Sequence, residues 1–260
     1  MGIYQSNKLK TAVEIVQRIE NWPAAMGLRL RQGQVGRTRL LSFRDGLEVA
    51  CRSGTRDWDV IHELLFAGGY GRALSFLAQA PAGARVLDLG GNLGLFSLLA
   101  ARMAPEAKVV AFEPGPPNFR MFEINMLLNP ALASRVELRK NAVGGADRKD
   151  EWFFDDANPG GSSLFGRVGR SFGVHIVAFS EVVESLAEPI ALAKIDIEGA
   201  EYEIVEQTPA AVWEKIGAIS LELHDDPRGK GTQASLLERL RSFGFTVEEE
   251  SVCSFFLHRG

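Results

Sequence analysis

Apolar positions recur along this chain in two rhythms. Ala12, Ile15, Val16 and Ile19 stand at helical spacing, so the segment up to about Asn21 reads as one amphipathic helix. Residues 38–43 and 47–51 are strand-like and flank Asp45-Gly46, a pair that tolerates positive φ and suits a tight hairpin turn. Val60, Ile61, Leu64 and Leu65 predict a helix that Gly68-Gly69 ends, and residues 72–79 predict another, closed by Pro81. Beyond it, short apolar runs at 85–89, 109–112, 136–139, 191–195 and 218–223 alternate with helical patterns. That alternation argues a parallel sheet covered on both faces. After a helix over 232–243, residues 245–249 and 252–258 are joined by a short turn and should pair antiparallel.

The expected organisation is therefore a cap of helix and β-hairpin over residues 1–80 and an α/β domain over 81–260. The sheet of that domain is mostly parallel and ends in an antiparallel hairpin. Between the third and fourth strands lies an insertion with Trp152-Phe153-Phe154, the loop Asn158-Pro159-Gly160-Gly161-Ser162-Ser163 and an apolar run over 174–179. It is expected to add a strand pair and a mobile lid.

A length of 260 residues suits one large α/β domain with an appendage, and 46% hydrophobic with 24% charged residues is ordinary for a globular chain. The net charge of -4 offers no global field for a polyanion, which disfavours nucleic acid as a partner. Arg29, Arg31, Arg37, Arg39 and Arg44 are the local exception, read as a solvated basic surface. Cys51 and Cys253 are too far apart in sequence to suggest a disulfide framework or a thiolate zinc site. With no basic-then-apolar leader and no apolar run of about 18 residues, the expectation is no membrane span and a cytoplasmic location.

The candidate chemistry begins where the strand Val86-Leu87-Asp88-Leu89 runs into Gly90, Gly91, Asn92 and Gly94 and a helix starts at once. Such a loop brings backbone close to a ligand at a helix N-terminus. Its order differs from the dinucleotide pattern Gly-x-Gly-x-x-Gly: Asp88 lies in the strand end and Asn92 takes the central glycine position. A carboxylate at Asp88 suits a ligand bearing an ammonium group better than a pyrophosphate. Phe96, in the first turn of the helix, joins the ligand contacts. Glu113 closes the second strand about twenty residues on, where it can accept both ribose hydroxyl hydrogens of an adenosine. Pro114 and Asn118 follow it, and Asn141-Ala142 after the third strand are placed to flank the adenine.

Three strings together, Val86-Leu87-Asp88-Leu89-Gly90-Gly91-Asn92-Leu93-Gly94, Phe112-Glu113-Pro114 and Lys194-Ile195-Asp196-Ile197-Glu198-Gly199-Ala200-Glu201, resemble the FkbM family of methyltransferases. The resemblance runs from about Leu41 to Leu223 and takes in Gly54-Thr55-Arg56-Asp57 and Tyr70. It implies the seven-stranded, Rossmann-like class I methyltransferase fold, S-adenosylmethionine as donor, and O-methylation of a hydroxyl on a sugar or secondary metabolite. It also implies that Thr55 and Tyr70 fold over the methionine end of the donor. The alternatives for these two are a helix cap for Thr55 and packing at a helix end for Tyr70.

Read directly, Asp196 at a strand end and Glu198 on the next loop project carboxylates at the carboxyl edge of the sheet, where ligands bind. Methylating an alcohol requires alignment of two reactants and removal of a proton. Asp196 is the leading base or acceptor-orienting residue, and it or Glu198 can instead organise the loop or bind the methionine amine. His224 is the second candidate base. With Asp196 and Glu222 or Asp225 it also offers oxygen and nitrogen donors for Mg2+, an option not favoured because no local ligand motif accompanies it. His62, His175 and His258 read as structural or solvated. Two rival readings stand beside methyl transfer: a nicotinamide-dependent oxidoreductase, and a catalytically inactive ligand-sensing or scaffold protein.

Overall fold

The computed structural model describes residues 2–154, 170–251 and 253–259. The first helix, Gly2–Arg18, buries Ile15, and a second, Trp22–Arg29, follows directly, with Pro23 in its first turn and Ala25 and Leu28 buried. This second helix departs from the sequence expectation; it is only eight residues long, too short for its apolar spacing to stand out. Strands β1 (Thr38–Ser42) and β2 (Glu48–Arg52) form the expected hairpin, turned at Gly46 with φ of +86°. The helix Asp57–His62 continues into a π-helical turn, Glu63–Ala67, that ends on Gly68 as expected.

The main sheet has seven strands. They are β3 (Arg85–Leu89), β4 (Lys108–Phe112), β5 (Val136–Arg139), β9 (Ile190–Ile195), β10 (Ile216–Glu222), β11 (Thr246–Glu249) and β12 (Ser254–His258). Their spatial order is β11-β12-β10-β9-β3-β4-β5. β3, β4, β5, β9 and β10 are mutually parallel, while β12 pairs antiparallel with both β10 and β11. The fold is thus the doubly wound, Rossmann-like sheet with a closing antiparallel hairpin. Its interior strands, buried on both faces, carry continuous apolar runs because helices cover each face.

The insertion builds a second sheet of three strands, β6 (Ala142–Gly144), β7 (Arg148–Phe154) and β8 (Arg170–Ala178), in the order β6-β8-β7. The expected strand pair is present as β7 and β8, antiparallel. β6, three residues long, is too short for periodicity to signal. The loop Asn158-Pro159-Gly160-Gly161-Ser162-Ser163, with the lid expected there, lies outside the described residues.

The N-terminal elements and the sheet domain share apolar core. Ile15, Ile19, Leu41, Val49 and Ile61 cluster with Leu93, Leu95, Leu99 and Met121. Buried asparagines make polar links in that joint, and Asn129 accepts the Glu48 N–H at 3.1 Å and donates to the Glu48 carbonyl at 2.7 Å. Asn125 accepts the Ala50 N–H at 2.7 Å and donates to the carbonyls of Ala50 at 3.1 Å and Leu93 at 2.9 Å. Its amide completes the edge of β2 as a neighbouring strand would and ties that edge to the glycine loop.

Candidate active site

The connections from β3 and β9 leave in opposite directions, since β4 lies on one side of this strand pair and β10 on the other. A crevice opens at such a switch point, outside the carboxyl ends of the strands. It is a cavity of about 340 Å³ whose lining includes Tyr70, Asn92, Lys194, Asp196, Glu222 and His224. Gly90, Gly91, Phe96 and Glu198 also face it.

Steric limits fix the glycine loop. At Gly90 φ is +83°, and a Cβ there would stand 1.8 Å from the Asp196 carbonyl oxygen. At Gly94 φ is +79°, and a Cβ would sit 2.1 Å from the Phe122 ring. The bare backbone at these two positions therefore lets the loop after β3 touch the loop after β9 and lie flat on Phe122. Asn92, at φ +48°, donates its N–H to Glu113 Oε2 at 2.8 Å, and Gly115 N–H reaches Oε1 at 2.8 Å. Burial raises the Glu113 carboxyl to about 7 against these two amides, which pull it down.

Asp88 lies behind the cavity. It is fully buried, accepts the Ser97 hydroxyl at 2.7 Å and stands 3.4 Å from Lys194 Nζ. The ammonium it meets is the chain's own. Lys194, 4% exposed, also donates to the Gly90 carbonyl at 2.9 Å and pairs with Asp196 Oδ2 at 3.2 Å. Its pKa is raised: burial works against the charge, and Asp196 and Asp88 overcome it. Lys194 stood in the sequence only as part of a motif; its role becomes visible once β9 lies beside β3 and Asp88 pairs in register with Lys194.

The wall opposite the glycine loop is rich in carboxylates. The Tyr70 hydroxyl faces Asp196 Oδ2 at 3.2 Å and Glu222 Oε2 at 3.1 Å, and its ring meets Phe96 edge-on at 5.4 Å. Burial, then Asp196 and Glu63, raise the Glu222 carboxyl. Burial, then Asp196, raise Glu63, which enters the cavity from the π-helical turn. Glu198 rises to about 7 through burial, with Asp196 adding repulsion and His224 opposing it. His224 rises to about 9: burial opposes its charge, and the hydrogen bond to Glu201 and the nearby Glu198 and Asp196 outweigh that. Among the described residues, Arg31, Tyr70, Asn92 and Glu198 have positive φ without being glycine. Three of the four line the cavity, so strained backbone gathers where side chains must be aimed.

The remaining expected site residues lie elsewhere. Thr55 Oγ1 accepts the Asp57 N–H at 3.2 Å and donates to the Arg52 carbonyl, a local turn contact ahead of the helix, whose N-cap is Arg56 and carries no side-chain cap. Asn118 accepts from Arg52 at 2.7 Å beside the buried Arg52–Asp57 pair. Pro114 is buried between Glu113 and Gly115. Asn141 donates to the His175 carbonyl at 3.3 Å, and Ala142 pairs with Ile176 inside β6. For a cation, Asp196, Glu198 and His224 each present one ligand atom within 4.8 Å of the others, whereas Asp225 is outside this group. Glu201, like Lys194, stood in the sequence only as part of the motif. It is fully buried and 2.9 Å from His224 Nδ1.

Residues 82–247 match the family model described as the methyltransferase FkbM domain. The chain belongs to this family. Membership makes it a methyltransferase, and it accounts for the joint occurrence of the glycine loop, Glu113 and the motif at Lys194–Glu201. Among curated relatives, Methyltransferase 1 of Beauveria bassiana is 27% identical over 196 residues, covering 67% of this chain and 77% of that protein. The 31-O-demethyl-FK506 methyltransferase FkbM of Streptomyces tacrolimicus is 28% identical over 199 residues, covering 64% and 74%. Among solved structures, methyltransferase FkbM of Methylobacillus flagellatus aligns with a TM-score of 0.45 at 12% identity, covering 68% of this chain and 44% of that one. Among the described residues, no helix is long and apolar enough to cross a membrane.

Proposed function

We propose that this family member transfers the methyl group of S-adenosylmethionine to a hydroxyl oxygen of a small sugar or secondary metabolite. The observation that carries the reading is the juxtaposition of the glycine loop with the Asp196–His224 wall across one crevice. S-adenosylmethionine supplies an electrophilic methyl group on a sulfonium sulfur. The residues present suit such a cation: Glu63, Asp196, Glu198 and Glu222 face the cavity, and Lys194, the buried cation beside them, is already engaged by Asp88. Each Glu113 oxygen accepts one backbone N–H and keeps a lone pair, which is the capacity needed to hold a ribose diol.

On the acceptor side the chain must hold a hydroxyl in line with the methyl carbon and take its proton. Asp196 and His224 project from neighbouring strands to the same cavity, with Asp196 the orienting group and His224 or Asp196 the proton acceptor. The name of the Streptomyces relative gives 31-O-demethyl-FK506 as the compound it methylates, and that supports the choice of an oxygen acceptor. Calorimetry should detect S-adenosylhomocysteine binding to the wild type, and labelled S-adenosylmethionine incubated with extract from cells lacking the protein should yield a labelled small molecule. No binding by folded protein would refute the donor; label confined to protein or nucleic acid would refute the acceptor class.

A further inference from the structure

His224 could lie in the cavity wall in many orientations, and one contact selects among them. Nδ1 stands 2.9 Å from Glu201 Oε1. A carboxylate accepts and does not donate, so the hydrogen between them resides on Nδ1. Glu201 is in turn immobilised, because its Oε1 accepts the Ile197 N–H at 3.1 Å and its Oε2 the Gly199 N–H at 2.8 Å. The loop that carries Asp196 and Glu198 and the ring of His224 are therefore held by one fully buried carboxylate.

The other ring nitrogen is left for the cavity. Nε2 is 3.6 Å from Glu198 Oε2 and 4.0 Å from Asp196 Oδ1, beyond hydrogen-bonding distance from either. We propose that Glu201 and His224 form a dyad in which Glu201 is the positioning residue, presenting Nε2 to the acceptor hydroxyl as the proton-accepting atom. The idea rests on the methyl-transfer reading above. As the acceptor oxygen bonds to the methyl carbon, the carbon–sulfur bond breaks and its electron pair stays on sulfur. The hydroxyl proton passes to Nε2 of the neutral ring, a minor form near pH 7 because, against burial, Glu201, Glu198 and Asp196 hold His224 at about 9, and the imidazolium so formed releases it to water when the product leaves. Three N–H donors converge on Glu201, and a glutamine has one acceptor oxygen for them, so Glu201→Gln must release the ring, the loop, or both.

The test compares wild type, Glu201→Gln, His224→Gln and the double variant, each as the full chain, in labelled methyl transfer to the acceptor in extract and in S-adenosylhomocysteine calorimetry. His224→Gln should lower kcat by ~10²–10⁴-fold, Glu201→Gln by ~10-fold or more, and the double variant by less than the product of the two, because residues acting as a unit are not additive and any excess over His224→Gln reports the loop that Glu201 also holds. Donor affinity should stay within about twofold in all three. Losses that multiply in the double variant would overturn the dyad, as would loss of wild-type turnover on chelation with recovery on adding Mg2+, which would make Nε2 a metal ligand. A readout independent of turnover is the proton spectrum of the histidine-labelled wild type with S-adenosylhomocysteine. A downfield, slowly exchanging Nδ1–H resonance, absent in His224→Gln, is expected, and its absence from the wild type overturns the dyad. Donor binding without any labelled product would remove the methyl-transfer reading separately, while that resonance still decides the dyad.

Discussion

The two sides of the crevice are built from different materials. The glycine loop is defined by backbone: Gly90 is pressed on the Asp196 carbonyl, Gly94 lies on Phe122, and Asn92 and Gly115 spend their amides on Glu113. The facing wall is defined by side chains arriving from distant positions, with Tyr70, Asp196 and Glu222 meeting across 126 and 152 residues of sequence. The contrast shows a division of labour. One side is fixed by a rigid backbone shape, whereas the other is assembled from replaceable groups whose charges hold one another in tension.

If the loop is steric and the wall electrostatic, the largest effect belongs to the loop. Gly90→Ala places a methyl group inside the Asp196 carbonyl at a left-handed φ, and should cost more than ~4 kcal/mol, leaving little folded protein in thermal unfolding. A wild-type melting profile would show that the two loops are not locked together. Next comes Lys194→Met, which keeps the apolar stem and leaves Asp88 and Asp196 without their shared cation. Breaking such a buried pair should cost about 3–5 kcal/mol by urea unfolding, and an unchanged midpoint would mean that Asp88 is satisfied by Ser97 alone.

The smallest effect sharpens the donor side. Glu113 has a carboxyl raised to about 7, so at pH 6 it is largely protonated and at pH 8 largely ionised. A ribose diol donates hydrogen bonds and prefers the ionised form, so S-adenosylhomocysteine affinity should rise with pH over this interval, by at most about 10-fold. In Glu113→Gln the affinity should be lower at pH 8 and flat between the two. An equal slope in wild type and variant would assign the titration to another group.

What the sequence disclosed follows the same division. Four of the five parallel strands were readable because each is an apolar run buried on both faces, β5 at the sheet edge burying only Val136, and the glycine loop because left-handed backbone and close approach demand particular residues. Asp196, Glu198 and His224 were readable as polar residues at strand ends. Lys194 and Glu201 were not, since a lysine inside a strand and a glutamate opening a helix look ordinary until β9 is paired with β3 and His224 swings against that helix. Thr55, Asn118 and Asn141 show the converse: polar residues flanking a motif, whose hydrogen bonds serve the local backbone or the Arg52 pair.

Asn125 gives the architecture a practical consequence. By standing in for a strand against Ala50 and gripping the Leu93 carbonyl, it acts as a keyed coupling between the N-terminal elements and the glycine loop. Anyone grafting the N-terminal elements of another relative onto this sheet would have to reproduce that key, with a hairpin whose edge offers the N–H and carbonyl of Ala50 to Asn125 and those of Glu48 to Asn129 in the same register. A mismatched graft would fail by shifting the glycine loop, although no residue of that loop had been altered.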